Sequence, residues 1–575
     1  MSTPQCTANL TPPSAGKAST NNWDTVFAIN FASANKAIVG QKSSPPGFDG
    51  VKPGGGFSGP AIKVTGTFGD WQLSGGSGSI AELTLPIAGV ADAQTTPVQS
   101  LKFAGTAVIQ VELQFLPQPA ATASKKLSGG TTNALRMKTD TTDPQTKPIV
   151  SVISLQLNPE ANEAKDAISD VLETWLLAHL DSFNHTFAAI DLGAVADKDQ
   201  FAWLAPTHLG YGINNPEGAK VGDYVFGVMA MTEKRQGTNL GSEISPNVIP
   251  KGCNAGFLIS QERFMTKIMK PSIAKMFLKA AETDFEVTGD GSTITNTKAV
   301  TFHDFESANK DGSETVKITG ATLDAKKFTL EADATVLRLS FVDLHFPWGG
   351  GGYTVNMVYN SECELFMDQN KHFQACVVGK PALSVTVTES SGEKWKDIIV
   401  GIVEGISFAV IGAAIGGALG PAAEAAEEGI DGAASVAAEG VEGTSDALEF
   451  TGDLLPDDDI ANLDDLNAED DSEASGDMEA SDEEGYTSKF KGFLRRNWRK
   501  ILGMAIGGAV GAVASKVPDI LEAYSEKDLA KMPTLDEFVD YTVAPVSWPG
   551  QTGYTLVSVA LNESLQIGLN VDIAS

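Results

Sequence analysis

At 575 residues the chain exceeds the length at which single hydrophobic cores stop growing, so two or more domains are expected, and 42% hydrophobic with 20% charged residues is ordinary globular composition. The net charge of −32 argues against a nucleic-acid partner, and most of it is local: 23 acidic residues and no Lys or Arg lie between Pro421 and Ser488, leaving 50 acids against 41 bases elsewhere. Four cysteines do not make a disulfide framework in so long a chain, and 58 glycines with 27 phenylalanines suggest a sheet-rich protein with tight bends.

The first residues, Met1-Ser2-Thr3-Pro4-Gln5-Cys6, lack a basic stretch followed by an apolar one. Cytoplasmic synthesis without a signal peptide is therefore expected, with any release following a non-classical route. Residues 1–20 are Ser/Thr/Pro-rich and read as a disordered tail. Asp24 is placed to cap a helix whose apolar positions Val26, Phe27, Phe31, Ala34 and Ile38 recur at helical spacing. After a Pro/Gly loop at 43–60, alternation predicts strands at 61–68, 71–73, 80–85, 107–116 and 149–157.

Asn158 and Pro159 then supply a cap and a first helical turn. The residues Ile168, Val171, Leu172, Trp175, Leu176, Leu177, Leu180 and Phe183 cover more than half the circumference of the helix expected over 159–184. So wide an apolar arc must be enclosed, and roughly 25 residues at 1.5 Å each would span about 37 Å. A second helical stretch starts at Gln261 and runs to Ala280, with Pro271 expected to kink or split it. Strands follow around 299–302, 315–319, 334–341, 353–359 and 382–388, and again at 553–561 and 565–569. Four glycines, Gly349 to Gly352, interrupt the series. The expected organisation is a domain over 21–255 and a second over 256–575, the latter carrying an insert at 396–520.

Within the insert, Ile398 to Leu419 and Ile501 to Val513 are apolar, with glycines near four-residue spacing (Gly412 and Gly416; Gly503, Gly507 and Gly511). Such spacing lets two helices approach closely, giving a glycine-rich hairpin that flanks a disordered acidic loop at 421–488. Lys489, Lys491, Arg495, Arg496, Trp498, Arg499 and Lys500 precede the second run, and basic residues with an aromatic beside an apolar segment are interfacial membrane anchors. The second run is about 14 residues, short of the roughly 20 needed to span. A soluble hairpin, surface membrane association and, least favoured by that length, true insertion therefore all stay open.

No phosphate loop, dinucleotide fingerprint, nucleophile elbow or paired-histidine zinc helix is present, so neither an enzyme nor a cofactor is expected. The six histidines are scattered, His179 and His185 among them, and no cluster proposes a metal site. Cys363 and Cys376 are close enough in sequence to face each other across a hairpin, where packed thiols are the simpler reading.

Trp23-Asp24-Thr25-Val26-Phe27-Ala28 followed by Asn35-Lys36-Ala37-Ile38 resembles the opening of the clostridial forty-seven-kilodalton neurotoxin-cluster protein family, which is related to the OrfX group. Trp548-Pro549, Gly553-Tyr554, Leu561-Asn562 and Leu565-Gln566 resemble that family's C-terminal end. The resemblance implies an elongated α+β fold of two tubular lipid-binding (TULIP) units, each a long helix wrapped in a strongly curved antiparallel sheet, with the glycine-rich helical hairpin added. It also implies non-enzymatic binding of lipid or another hydrophobic small molecule in an apolar groove between helix and sheet. On the wrapped helix the expected ligand-binding residues are Val171, Trp175, Leu176, Leu180 and Phe183, which could equally be core. The alternative is a membrane-active or toxin-accessory protein acting through the hairpin, with a membrane surface, a toxin or related family members as partners. The insert makes the chain longer than the family's usual size and leaves room for it to block or regulate a groove.

Overall fold

The computed structural model describes residues 16–55, 59–118, 132–139, 150–182, 185–192, 201–275, 277–302, 305–308, 315–348, 353–367, 371, 373–388, 461–462 and 535–574. These fall into two compact units. The first draws on 14–260, 539–557 and 566–575, and the second on 261–538 and 558–565. Strongly curved antiparallel sheets dominate, with few helices, so the fold class is α+β.

The first unit opens with a strand where a helix was expected. Thr25–Asn30 forms β1, and only then does helix α1 run over Phe31–Gly40. The run Thr-Val-Phe-Ala-Ile suits a strand buried on both faces, and β1 has a neighbour on each side. The cap is Asn30 rather than Asp24: its Oδ1 accepts the Ser33 N–H at 2.9 Å. Strands then follow as β2 (Gly47–Lys52), β3 (Ile62–Phe68), β4 (Gln72–Ser77), β5 (Ile80–Ala93), β6 (Gln99–Gln118), β7 (Thr132–Met137) and β8 (Val150–Leu157). Beyond helix α2 (Lys165–Ala178) come β9 (Thr186–Asp191), β10 (Pro206–Asn214), β11 (Val225–Thr232) and β12 (Ala255–Ile259).

They form two sheets. One has the order β2-β3-β5-β6-β7-β9 followed by Val546–Ser547, with β4 added on β5 and β8 on β6. The other runs β10-β11-β1-β12 and is completed by Ser564–Ile573 and Gln551–Asn562. In β5 the buried positions Ala81, Leu83, Leu85 and Ile87 alternate with less buried ones, the period-two pattern of a sheet with one face on the core. Every residue of β11 and β12 is buried, which removes that alternation.

The enclosed helix is shorter than its sequence suggested. Residues Pro159–Ala164 make a 3-10 lead-in, α2 ends at Ala178, and Leu180–Ser182 is a separate 3-10 turn. His179 leaves the helical region (φ −128°, ψ 38°). Its Nδ1 lies 2.8 Å from the Trp175 carbonyl oxygen, while its ring stacks on Trp175. Asn158 precedes the lead-in without a side-chain cap; its Oδ1 instead accepts the Ala104 N–H at 2.8 Å, anchoring the lead-in to β6.

In the second unit the main sheet runs Phe285–Thr288, Thr293–Asn296, Phe328–Asp333, Val336–Trp348, Tyr353–Met367 and Phe373–Thr388. Its helix covers 261–275 without splitting at Pro271. Phe264–Met269 is a π-helical turn in which the Lys270 N–H reaches the Met265 carbonyl, and this widened turn accommodates the proline that follows. Phe264, Met265, Ile268, Met269 and Ile273 are buried. Phe277 packs against Phe285, Phe302 and Phe328, with ring centroids 4.6–5.7 Å apart. Across the last hairpin Cys363 sits opposite Val377 and Cys376 opposite Glu364, so the register does not set the two cysteines against each other. Cys363 is buried and free, its thiol pushed up to about 12 by burial. Apart from residues 461–462, the insert at 396–520 lies outside the described residues, as do the glycine-rich hairpin and the seven residues expected to contact membranes.

Candidate functional site

Helix α2 packs on β2, β3 and β8 of the curved sheet. The approach is close at Gly50 in β2, where a Cβ would stand 2.9 Å from Val171 Cγ1. Beside it Lys52 pairs with Asp170 at 2.7 Å, fixing the solvent side of the same contact. Of the residues expected to bind ligand, Val171, Trp175, Leu176 and Leu180 are all buried, and Phe183 lies outside the described residues. Leu177, read as part of the enclosed arc, is instead 49% exposed, so the buried arc is narrower than its sequence implied.

Trp175 begins a continuous aromatic seam through the unit. Its ring stacks on His179 at 4.5 Å and tilts against Phe68 at 5.4 Å. From Phe68 the contacts run through Trp71, His185, Phe187, Phe226 and Trp548 to Phe27, each step between 5.3 and 6.4 Å. Such tilted and edge-on pairs contribute about 0.5–1.5 kcal/mol each beyond area burial. His185 Nε2 and Trp548 Nε1 lie in this apolar layer with no hydrogen-bond partner among the described residues. Ser43 Oγ lies 2.5 Å from His185 Nδ1, and burial pulls the imidazole down to about 4, so the ring is neutral near pH 7. Apart from Trp175, the seam's members escaped sequence reasoning. Phe68 with Trp71, Trp175 with His179 and His185 with Phe187 are local pairs, but only the fold joins these pairs to one another and to Phe226, Trp548 and Phe27.

A second feature lies in the same unit. A half-open cleft of about 670 Å³ is lined by Ser19, Asn21 and residues 76–78, 213–215 and 243–246. Its walls are cross-linked by backbone and side-chain bonds. Gly78 and Ile213 exchange both backbone hydrogen bonds, at 3.3 and 3.0 Å. The Asn21 amide donates to the Glu243 carbonyl at 3.0 Å, and the Asn214 amide to the Ile244 carbonyl at 2.8 Å. Behind the cleft the buried Tyr211 hydroxyl accepts the Leu113 N–H and meets the Ser79 carbonyl at 2.7 Å. Burial raises that phenol further above its ordinary range.

Among the described residues no group of three or more His, Cys, Asp or Glu is placed to hold a metal ion. Nor is any described helix long and apolar enough to cross a membrane.

The family profile described as OrfX-like, Protein OrfX2/OrfX3/P47, matches residues 20–438. The chain belongs to the OrfX-like family. Protein OrfX3 of Paraclostridium bifermentans is 29% identical over 293 residues, covering 47% of this chain and 57% of that protein. Protein OrfX3 of Clostridium botulinum (strain Kyoto / Type A2) is 27% identical over 293 residues, covering 47% and 58%. The chain thus spans little more than half the length of these OrfX3 relatives. Among solved structures, P47 of Clostridium botulinum E1 superposes with a TM-score of 0.51 at 13% identity, covering 96% of this chain and all of that one. P47 from Clostridium botulinum A2 gives 0.50 at 16% identity, covering 69% and 89%. At these identities P47 shares the fold with this OrfX-like chain.

Proposed function

We propose that the first unit binds a lipid or another hydrophobic small molecule by burial, without catalysis. The observation that carries this reading is the aromatic seam beneath α2, where the buried face of the helix meets the curved sheet. Each methylene moved from water into the seam contributes about 0.8 kcal/mol. Val171, Trp175 and Leu176 of α2 and Leu180 of the following turn are the residues on which such a guest would bear, with the β2 and β8 side chains opposite. Membership of the OrfX-like family supports a further, compatible reading, in which the chain works alongside related family members.

The test is chain-length dependence. Fatty-acid analogues of increasing length, competing with a fluorescent fatty acid on the full chain, should gain about fourfold in affinity per methylene until the seam is filled. Val171→Phe should weaken the longest analogue at least tenfold, measured on protein shown by circular dichroism to be folded. Affinity that ignores chain length, or ignores this substitution in a folded variant, would count against burial in the seam.

A further inference from the structure

The polar cleft has no part in binding a greasy ligand, and its chemistry points elsewhere. We propose that it is a binding site for a neutral saccharide, of the size of one or two sugar rings. Its volume of about 670 Å³ falls within the about 300–1,000 Å³ of small-molecule sites.

The lining decides the class of ligand. Among the described residues no Lys, Arg or His contributes to it, while Glu243 does, so phosphate, carboxylate and an anionic headgroup meet repulsion instead of a counter-charge. Ile213, Ile244 and Pro246 supply only a small apolar surface, too little for an acyl chain but suited to the C–H face of a sugar ring. The remaining groups are carboxamides and hydroxyls: Asn21, Asn214, Asn215, Ser19, Ser77 and Ser245. A sugar hydroxyl both donates and accepts. It is therefore matched by an acceptor-only carboxylate beside carboxamides that offer both functions.

The site is also held ready. The backbone exchange between Gly78 and Ile213 fixes one wall to the other. Asn21, with its backbone at φ 50°, fixes the 243–246 segment through the Glu243 carbonyl. By contrast the Glu243 and Asn215 side chains are exposed and line the cleft where a ligand would meet them. Little ordering then remains to be done on binding, which favours affinity for a small, heavily hydrated ligand.

The test uses the full chain and saturation-transfer NMR, with a panel of neutral mono- and disaccharides set against a sugar phosphate and a sialic acid. Neutral members of the panel should give transfer to the ring C–H protons, with Kd in the millimolar range or tighter. Asn215→Ala and Glu243→Gln should each weaken that binding about tenfold. Ser77→Trp, at an exposed position on the rim, should abolish it without lowering the thermal midpoint. Binding should persist in protein stripped of lipid and in Val171→Phe, so the outcome is independent of the seam. No transfer to any neutral sugar, a preference for the anionic sugars, or binding untouched by Ser77→Trp would each overturn the assignment.

Discussion

Asp24 is a buried carboxylate that holds three parts of the first unit together. Its Oδ2 accepts the Thr232 N–H at 2.8 Å and the Thr232 hydroxyl at 2.9 Å, while Oδ1 pairs with Arg235 at 2.7 Å. Asp24→Ala leaves the Thr232 donors buried and unmet, and should cost about 2–3 kcal/mol of stability, read as a lower urea midpoint with an unchanged slope. His185 supplies a pH dependence of definite sign. Its folded-state pKa, about 4, lies below the ordinary 6.5, so the unfolded chain takes up the proton first. Stability is therefore complete above pH 6.5 and is lost as the pH falls towards 4, by about 1.4 kcal/mol per pH unit and about 3 kcal/mol in all. Between pH 6.5 and 5, where ordinary carboxylates hardly titrate, His185→Phe should flatten the fall in thermal midpoint. An equally steep slope in that variant would show that another group is responsible.

At the scale of elements, the seat of α2 on β2 gives the sharpest test. A methyl added at Gly50 must push on Val171, so Gly50→Ala should destabilise by about 1–3 kcal/mol, and Val171→Ala should relieve part of that loss. The double-mutant cycle should show a coupling of about 0.5–3 kcal/mol, whereas additive effects would mean that α2 does not seat there. Trp175→Ala removes the stack on His179 and the contact with Phe68, and should cost about 3–5 kcal/mol in a calorimetric or denaturant measurement. Which elements were legible follows from their burial. Strands β3, β5 and β8 have partly solvated positions that break up their apolar runs, and α2 has a polar face, so their periods can be read from residues alone. Strands β11 and β12 are buried throughout, and the short apolar runs Val225–Thr232 and Ala255–Ile259 carry no period to read. The opening Val26-Phe27-Ala28-Ile29 followed by Phe31 fits a helix as well as a strand, and only its pairing with β11 and β12 decides between them. The buried positions of α2 were legible because they share one local period. The seam's other members and the cleft were not, since Phe27 meets Trp548 and Asn21 meets Glu243 across hundreds of residues.

For the whole molecule, the fold shared with P47 and the match over residues 20–438 establish what kind of chain this is, and the ligand is the open step. The first unit places an apolar seam and a polar cleft of opposite chemistry in one fold, and the lipid and sugar readings proposed for them are tested separately. Cleft binding should be independent of the seam, as the Val171→Phe comparison checks. The central claim is that the seam beneath α2 holds a hydrophobic guest. It is tested most directly by mass spectrometry of an organic extract from the purified full chain, compared with an equal amount of folded Val171→Phe protein. The expected result is a lipid recovered in near-stoichiometric amount from the native protein and strongly depleted from the variant. Recovery of no lipid from the native protein, or the same amount from both, would contradict it.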